Sequence, residues 1–111
     1  MRLTYSDAFG RQLKRLRKKY RHIRDDLQPL IDDLQAGHTP GEQTTGAGYT
    51  VYKVRLANTD TGRGKSGGYR VIYWLQTAEA RLLLTIYSKS EQTDLSAGQI
   101  KRIIDDEFDG E

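Results

Sequence analysis

The sequence predicts an α+β domain: an N-terminal helical hairpin packed on a small antiparallel β-sheet, followed by a short C-terminal helix. Three observations predict it. Apolar residues recur at alternating steps of four and three from Phe9 to Leu34, which is the helical period. Between Tyr49 and Ser88 the period falls to two, and aromatic and β-branched residues cluster in short runs, as strands require. Beyond Ser96 the spacing of Ile100, Ile103, Ile104 and Phe108 is helical again.

Taken in order, Leu3 to Tyr5 offers an edge strand. Ser6 is a candidate N-cap for the first helix, and Asp7 in its opening turn complements the helix dipole. The apolar stripe Phe9, Leu13, Leu16, Tyr20, Ile23, Leu27, Leu30, Leu34 is too long for one helix containing Pro29, because proline lacks an N–H and disrupts an uninterrupted helix. The break is placed at Lys19 to His22, with a second helix starting near Arg24 or Asp25 so that Pro29 falls close to its first turn. Gly37 ends that helix, and His38 to Gly48, with Pro40 and three glycines, reads as a loop. Tyr49 to Leu56 alternates, with Tyr52, Val54 and Leu56 on one face and Val51, Lys53 and Arg55 on the other. Asn58 to Gly68 is a turn-rich basic connection. Tyr69 to Gln76 and Arg81 to Ser88 form an antiparallel hairpin about Thr77 to Ala80. Ser96 caps the last helix. The hairpin of helices is expected to cover one face of the sheet and leave the other exposed.

A chain of 111 residues holds one core, so residues 1–111 are read as a single domain. With 36% hydrophobic and 30% charged residues and a mean hydropathy of −0.74, it has a modest core and a wet exterior. No stretch approaches the length of a membrane span and the first residues lack the apolar core of a secretory signal, which predicts a cytoplasmic protein. Zero Cys removes disulfides, thiolate nucleophiles and thiolate metal sites. His22 and His38 alone do not make a metal site. No cofactor is expected, and counting leaves open only a carboxylate-bound Mg²⁺.

The net charge of +3 is unevenly spread: residues 1–24 hold nine Lys and Arg against Asp7, whereas residues 91–111 hold seven acids against Lys101 and Arg102. Such polarity suits a polyanion-facing surface and a separate partner-facing one; it also suits two solvated helix faces of opposite sign. The stripe Lys14, Arg17, Lys18, Arg21 on the first helix carries the same two readings, a solvated face or a contact for a phosphate backbone.

Gly62-Arg63-Gly64-Lys65-Ser66 ends like a phosphate-binding loop, but Thr59 stands where that motif needs its first glycine, and Tyr69 onward is strand rather than helix. A basic turn is the better account. The sharper signal is Tyr52-Lys53-Val54-Arg55-Leu56 with Gly68-Tyr69-Arg70-Val71-Ile72-Tyr73. Alternation puts Lys53 and Arg55 on one face, and strand pairing brings Arg70 beside them. Clustered like charges weaken a bare fold and point to an anionic ligand. Lys65 on the loop, with Tyr87 and Lys89 at the end of the last strand, completes a cationic hollow with an aromatic wall. That suits RNA, whose bases stack on Tyr while Arg and Lys hold phosphates. The plainer alternative makes Lys53 and Arg55 ordinary outward-facing residues and Tyr87 a packed one.

Together with Ile86-Tyr87-Ser88-Lys89-Ser90-Glu91-Gln92 and the helical hairpin, these segments resemble the RelE/ParE superfamily of toxins, most closely its HigB-like branch with Gly-Lys-Ser-Gly-Gly-Tyr-Arg. The resemblance spans nearly the whole chain. It implies a microbial-RNase-like α+β fold, a toxin of a type II toxin–antitoxin system, ribosome-dependent cleavage of mRNA without a metal, and a cognate antitoxin that binds the toxin in a hetero-oligomer. Lys53, Arg55 and Arg70 match the family's strand cations. Where the family has an Arg after the last strand this sequence has Glu91, with Lys89 and Lys65 able to replace its phosphate contact. The family's catalytic aromatic has no counterpart, and Tyr87 stands in for it. The implied chemistry is attack of a ribose 2′-OH on the adjacent phosphate, with Lys53 as candidate base because cations surround it, Arg55 and Arg70 as phosphate clamps and Tyr87 stacking on a base or assisting proton transfer. Two other functions share the fold: a ParE-like inhibitor of DNA gyrase that cuts nothing, and an inactive RNA-binding module.

Overall fold

In a computed structural model, residues 1–109 are described, with side chains to residue 107. Phe108, expected on the apolar face of the last helix, therefore has a side chain outside the described residues. The elements run β1 (Arg2–Tyr5), α1 (Asp7–Lys19), α2 (Ile23–Gln35), β2 (Glu42–Thr44), β3 (Val51–Leu56), β4 (Tyr69–Thr77), β5 (Ala80–Ser88) and α3 (Ala97–Asp109). The strands form one sheet in the order β1-β5-β4-β3-β2.

Ser6 performs two tasks at the first corner. Its Oγ accepts a hydrogen bond from the Phe9 N–H at 3.0 Å, capping α1, and donates to the Leu84 carbonyl at 2.6 Å, which fixes the helix to the sheet. The two helices break at Tyr20 to His22, as the position of Pro29 predicts, although α2 starts at Ile23 and takes Pro29 into its second turn. Phe9, Leu16, Tyr20, Ile23, Leu27, Leu30 and Leu34 pack on Val54, Leu56, Val71, Tyr73, Leu83 and Ile86 to form the larger core.

Three features depart from the expectation. The sheet is mixed, because β1 pairs with β5 in parallel; four residues at an edge carry no pattern that fixes strand direction. The segment expected as a loop contains β2, which pairs antiparallel with β3 through Glu42, Gln43 and Thr44. Gly41 lies flush against the Lys53 carbonyl, where a Cβ would collide with the backbone. The second face of the sheet is not left bare: Ile100 and Ile104 of α3 pack with Val51, Ile72, Leu82, Leu84 and Tyr87 into a second core. Strand β5 is thus buried on both faces along its whole length, which accounts for its continuous apolar run. Ser96 caps α3 with its Oγ accepting from Gln99 N–H while Gln99 Oε1 accepts from Ser96 N–H, a reciprocal capping box.

Candidate active site

The pairing of β3, β4 and β5 sets the site. Arg55 lies opposite Arg70 and Arg70 opposite Tyr87, so these three form one row across the sheet. Lys53 lies two residues along β3 on the same face, since side chains alternate with period two. Lys89 follows the end of β5, where its N–H donates to the Gly68 carbonyl at 2.9 Å. Gly68 touches the Leu56 carbonyl so closely that any Cβ would collide with it. Lys53, Arg55, Arg70, Tyr87 and Lys89 are therefore held together by strand register.

Their surroundings differ. The side chains of Lys53 and Lys89 are partly exposed, and both ammonium groups face the same oxygen: Asp94 Oδ2 lies 3.6 Å from Lys53 Nζ and 3.3 Å from Lys89 Nζ. The Tyr87 hydroxyl donates to the other oxygen, Asp94 Oδ1, at 3.1 Å. Against a desolvation that would raise it, hydrogen bonds from Lys89 and Tyr87 and the nearby charge of Lys53 hold the Asp94 carboxyl below the usual carboxylate range. Burial, reinforced by Asp94, pushes the Tyr87 phenol up to about 12. Sequence reasoning passed over Asp94. It lies in a turn-rich segment without periodicity, and only its distance of a few residues from Tyr87 could have drawn notice.

Three of the expected site residues sit in surroundings other than those expected. Tyr87 is 1% exposed, its ring packed in the second core under α3, so it offers no face on which an RNA base can stack. Arg70 is 4% exposed, and its guanidinium donates to the Lys65 and Ser66 carbonyls at 2.8 Å each and to the Tyr69 carbonyl at 3.1 Å. A group so engaged shapes the basic loop. Lys53, expected as a base ringed by cations, instead has a carboxylate as its ion-pair partner.

Arg55 is exposed. Together with Lys53 and Lys65 it lines a groove of about 520 Å³ along the edge of β3, whose other wall carries Asp25, Asp26 and Asp33 of α2. The loop bearing Lys65 is tied to α2. Asp60 accepts from the His22 N–H at 2.9 Å and lies 2.7 Å from His22 Nδ1; Thr59 donates through its N–H and hydroxyl to Asp26, at 3.0 Å each. The hydrogen bond and charge of Asp60 raise His22 above the ordinary imidazole value. Neither histidine belongs to the row, since His38 lies beside Asp33.

The structure does not bring the α1 stripe to the row. Helix α1 packs through Phe9 and Leu16 on the opposite face of the sheet, leaving Lys14, Arg17, Lys18 and Arg21 exposed there. Its neighbours Arg15 and Lys19 instead reach Glu91, at 3.7 and 3.2 Å. The acidic residue found where the resemblance leads one to expect Arg is therefore an anchor for the segment after β5.

Residues 9–105 match the family described as the RelE toxin of the RelE/RelB toxin–antitoxin system. The chain belongs to the RelE toxin family. As a toxin of a toxin–antitoxin system it has a cognate antitoxin as its partner. Among the described residues of the toxin, no helix is long and apolar enough to cross a membrane.

Proposed function

We propose that the toxin is an endoribonuclease that cuts mRNA on the ribosome and so arrests translation. The observation that supports it is the alignment of Arg55, Arg70 and Tyr87 across three strands with Lys53 and Lys89 beside them. Several cations on one rigid sheet face suit a phosphodiester that acquires charge during cleavage. Arg55, Lys53 and Lys89, the accessible members, bind the scissile phosphate. Lys65 extends the contact along the strand. Arg70 acts indirectly, holding the carbonyls of Lys65 and Ser66 so that the loop keeps its shape.

The chemistry is transesterification: the ribose 2′-oxygen attacks the adjacent phosphorus, the bond to the 5′-oxygen breaks, and a 2′,3′-cyclic phosphate and a 5′-hydroxyl result. Neither histidine nor cysteine stands in the row, so positioning of the RNA supplies much of the rate, and the ribosome is the scaffold that positions it. Neutralisation of the toxin belongs to the antitoxin, whose acidic and apolar segments suit the basic surface and its groove.

Primer extension on a reporter mRNA tests this in a translating extract and on the same RNA free of ribosomes. The proposal predicts new 5′ ends within the coding region in the extract and few or none on free RNA. Intact mRNA, together with inhibition of gyrase in a supercoiling assay, identifies a gyrase inhibitor instead.

A further inference from the structure

We propose that Asp94 is the proton acceptor of the cleavage step, a role that rests on the endonuclease reading above. Three observations point to it. Asp94 is in direct contact with both lysines of the candidate site, with Oδ2 facing the ammonium groups of Lys53 and Lys89 and Oδ1 accepting from Tyr87. A phosphate bound by those two lysines would bring its 2′-hydroxyl, carried on the ribose carbon adjacent to the one bearing the bridging 3′-oxygen, within reach of the same carboxylate. Asp94 is also reachable, with its side chain 44% exposed, whereas Tyr87 and Arg70 are buried. Finally, it is held. The hydroxyl of Tyr87 projects from a fully buried strand to fix the carboxylate, Glu91 is tethered to Arg15 and Lys19, and Ser96 begins the capping box of α3. A loop fastened on both sides of a residue can hold it within the tolerance that proton transfer demands.

Of the other acceptors, Glu42 stands opposite Lys53 on β2, across β3 from Lys89 and Tyr87, and Asp25, Asp26 and Asp33 line the α2 wall of the groove. His22 is bonded to Asp60 and His38 to Asp33, and Lys53 and Lys89 present donors to Asp94. In the step, Asp94 takes the proton of the 2′-hydroxyl as the oxygen lone pair forms the new bond to phosphorus. The electron pair of the breaking bond leaves on the 5′-oxygen, which takes a proton from the Lys89 ammonium. Exchange with water then returns one proton to Lys89 and removes one from Asp94, so no other reactant is consumed.

The test compares wild type, Asp94→Asn and Asp94→Glu in the translating extract, with ribosome co-sedimentation and thermal unfolding measured alongside. Asparagine keeps the size and the acceptor for Tyr87 while removing the basic oxygen. The proposal expects Asp94→Asn to cut at least about 100-fold more slowly, to bind ribosomes as well as or better than wild type, and to unfold at an unchanged temperature. Asp94→Glu, which restores a carboxylate, is expected to recover part of the rate, and recovery by Glu alone holds even if the Asn variant is unstable. Cleavage by Asp94→Asn within threefold of wild type overturns the role. Tighter ribosome binding in that case makes Asp94 an occupant of the phosphate seat that RNA displaces. Equal loss of cleavage in both variants, with a lowered unfolding temperature, also overturns it and leaves a structural role. Failure of the wild-type chain to cut any mRNA is the separate outcome that removes the endonuclease reading itself.

Discussion

Arg70 and Arg81 are the buried arginines of this fold, 4% and 3% exposed, and both donate to backbone carbonyls. Arg81 ties the β4–β5 turn to the end of α2 through Thr77, Ala78 and Gly37, and Arg70 ties the basic loop to the sheet. A planar fork that reaches two carbonyls at once has no equivalent in lysine. Replacing Arg70 by Ala is therefore expected to cost about 2 kcal/mol of stability, the scale of hydrogen bonds from a charged donor, and Arg70→Lys to recover little of it; urea unfolding of the two variants checks both. The tyrosines give a second prediction. Burial raises Tyr69, Tyr73 and Tyr87 above the ordinary phenol value, Tyr87 to about 12. A raised folded-state value means that the folded protein keeps a proton the unfolded chain loses near pH 10. The stabilisation is thus complete below pH 10 and is lost as the pH rises through 12. Urea midpoints should be flat from neutral pH to about 10 and fall beyond it, with a shallower fall in Tyr87→Phe.

At the scale of elements, α3 has most consequence for the site, because it covers the face from which the row projects. Ile104 is 0% exposed, and Ile104→Ala should destabilise by about 2–4 kcal/mol, as large-to-small changes in a packed core do; thermal unfolding measures it. Two acids of this helix have internal partners: Asp105 accepts from Lys101 at 2.8 Å and from Tyr49 at 3.0 Å, and Glu107 from the Asp7 N–H at 3.3 Å. Helices α1 and α2 and strands β3 to β5 were legible in the sequence because long periodic segments bury one face, and burial writes the period into the residues. Strand β2 and the parallel pairing of β1 were not. A strand of three residues at an edge is fixed by its neighbour's backbone, which leaves no mark on its own side chains. The covering of the second face was half legible: Ile100, Ile103 and Ile104 announced an amphipathic helix, but nothing local said which surface it would meet.

Across the whole molecule the sheet separates two cationic surfaces. The row, with Lys53 and Lys89 beside it, lies on the α3 side, and the stripe of Lys14, Arg17 and Lys18 lies on the outer side of α1, with Arg21 in the turn that follows. Strand alternation made the first legible as a cluster, since period two and antiparallel pairing fix which side chains are neighbours. It did not reveal the burial of Arg70 and Tyr87, which depends on a loop folding back and a helix packing over. Nor did it reveal Asp94, whose position is set by long-range ties to α1 and β5. On the proposed endonuclease reading, separation by the sheet gives the two surfaces different roles: the row would hold the bond to be cut, and the stripe would contribute sequence-independent attraction to RNA. Mapping of mRNA 5′ ends in a translating extract, with wild type, a Lys53→Ala/Arg55→Ala variant and a variant with the four stripe residues changed to Gln, tests this division most directly. The row variant is predicted to lose cleavage by on the order of 10³, as expected when preorganised donors are removed, while the stripe variant retains the wild-type cut sites within a few-fold of the wild-type rate. Full cleavage by the row variant, or its loss in the stripe variant alone, would contradict it.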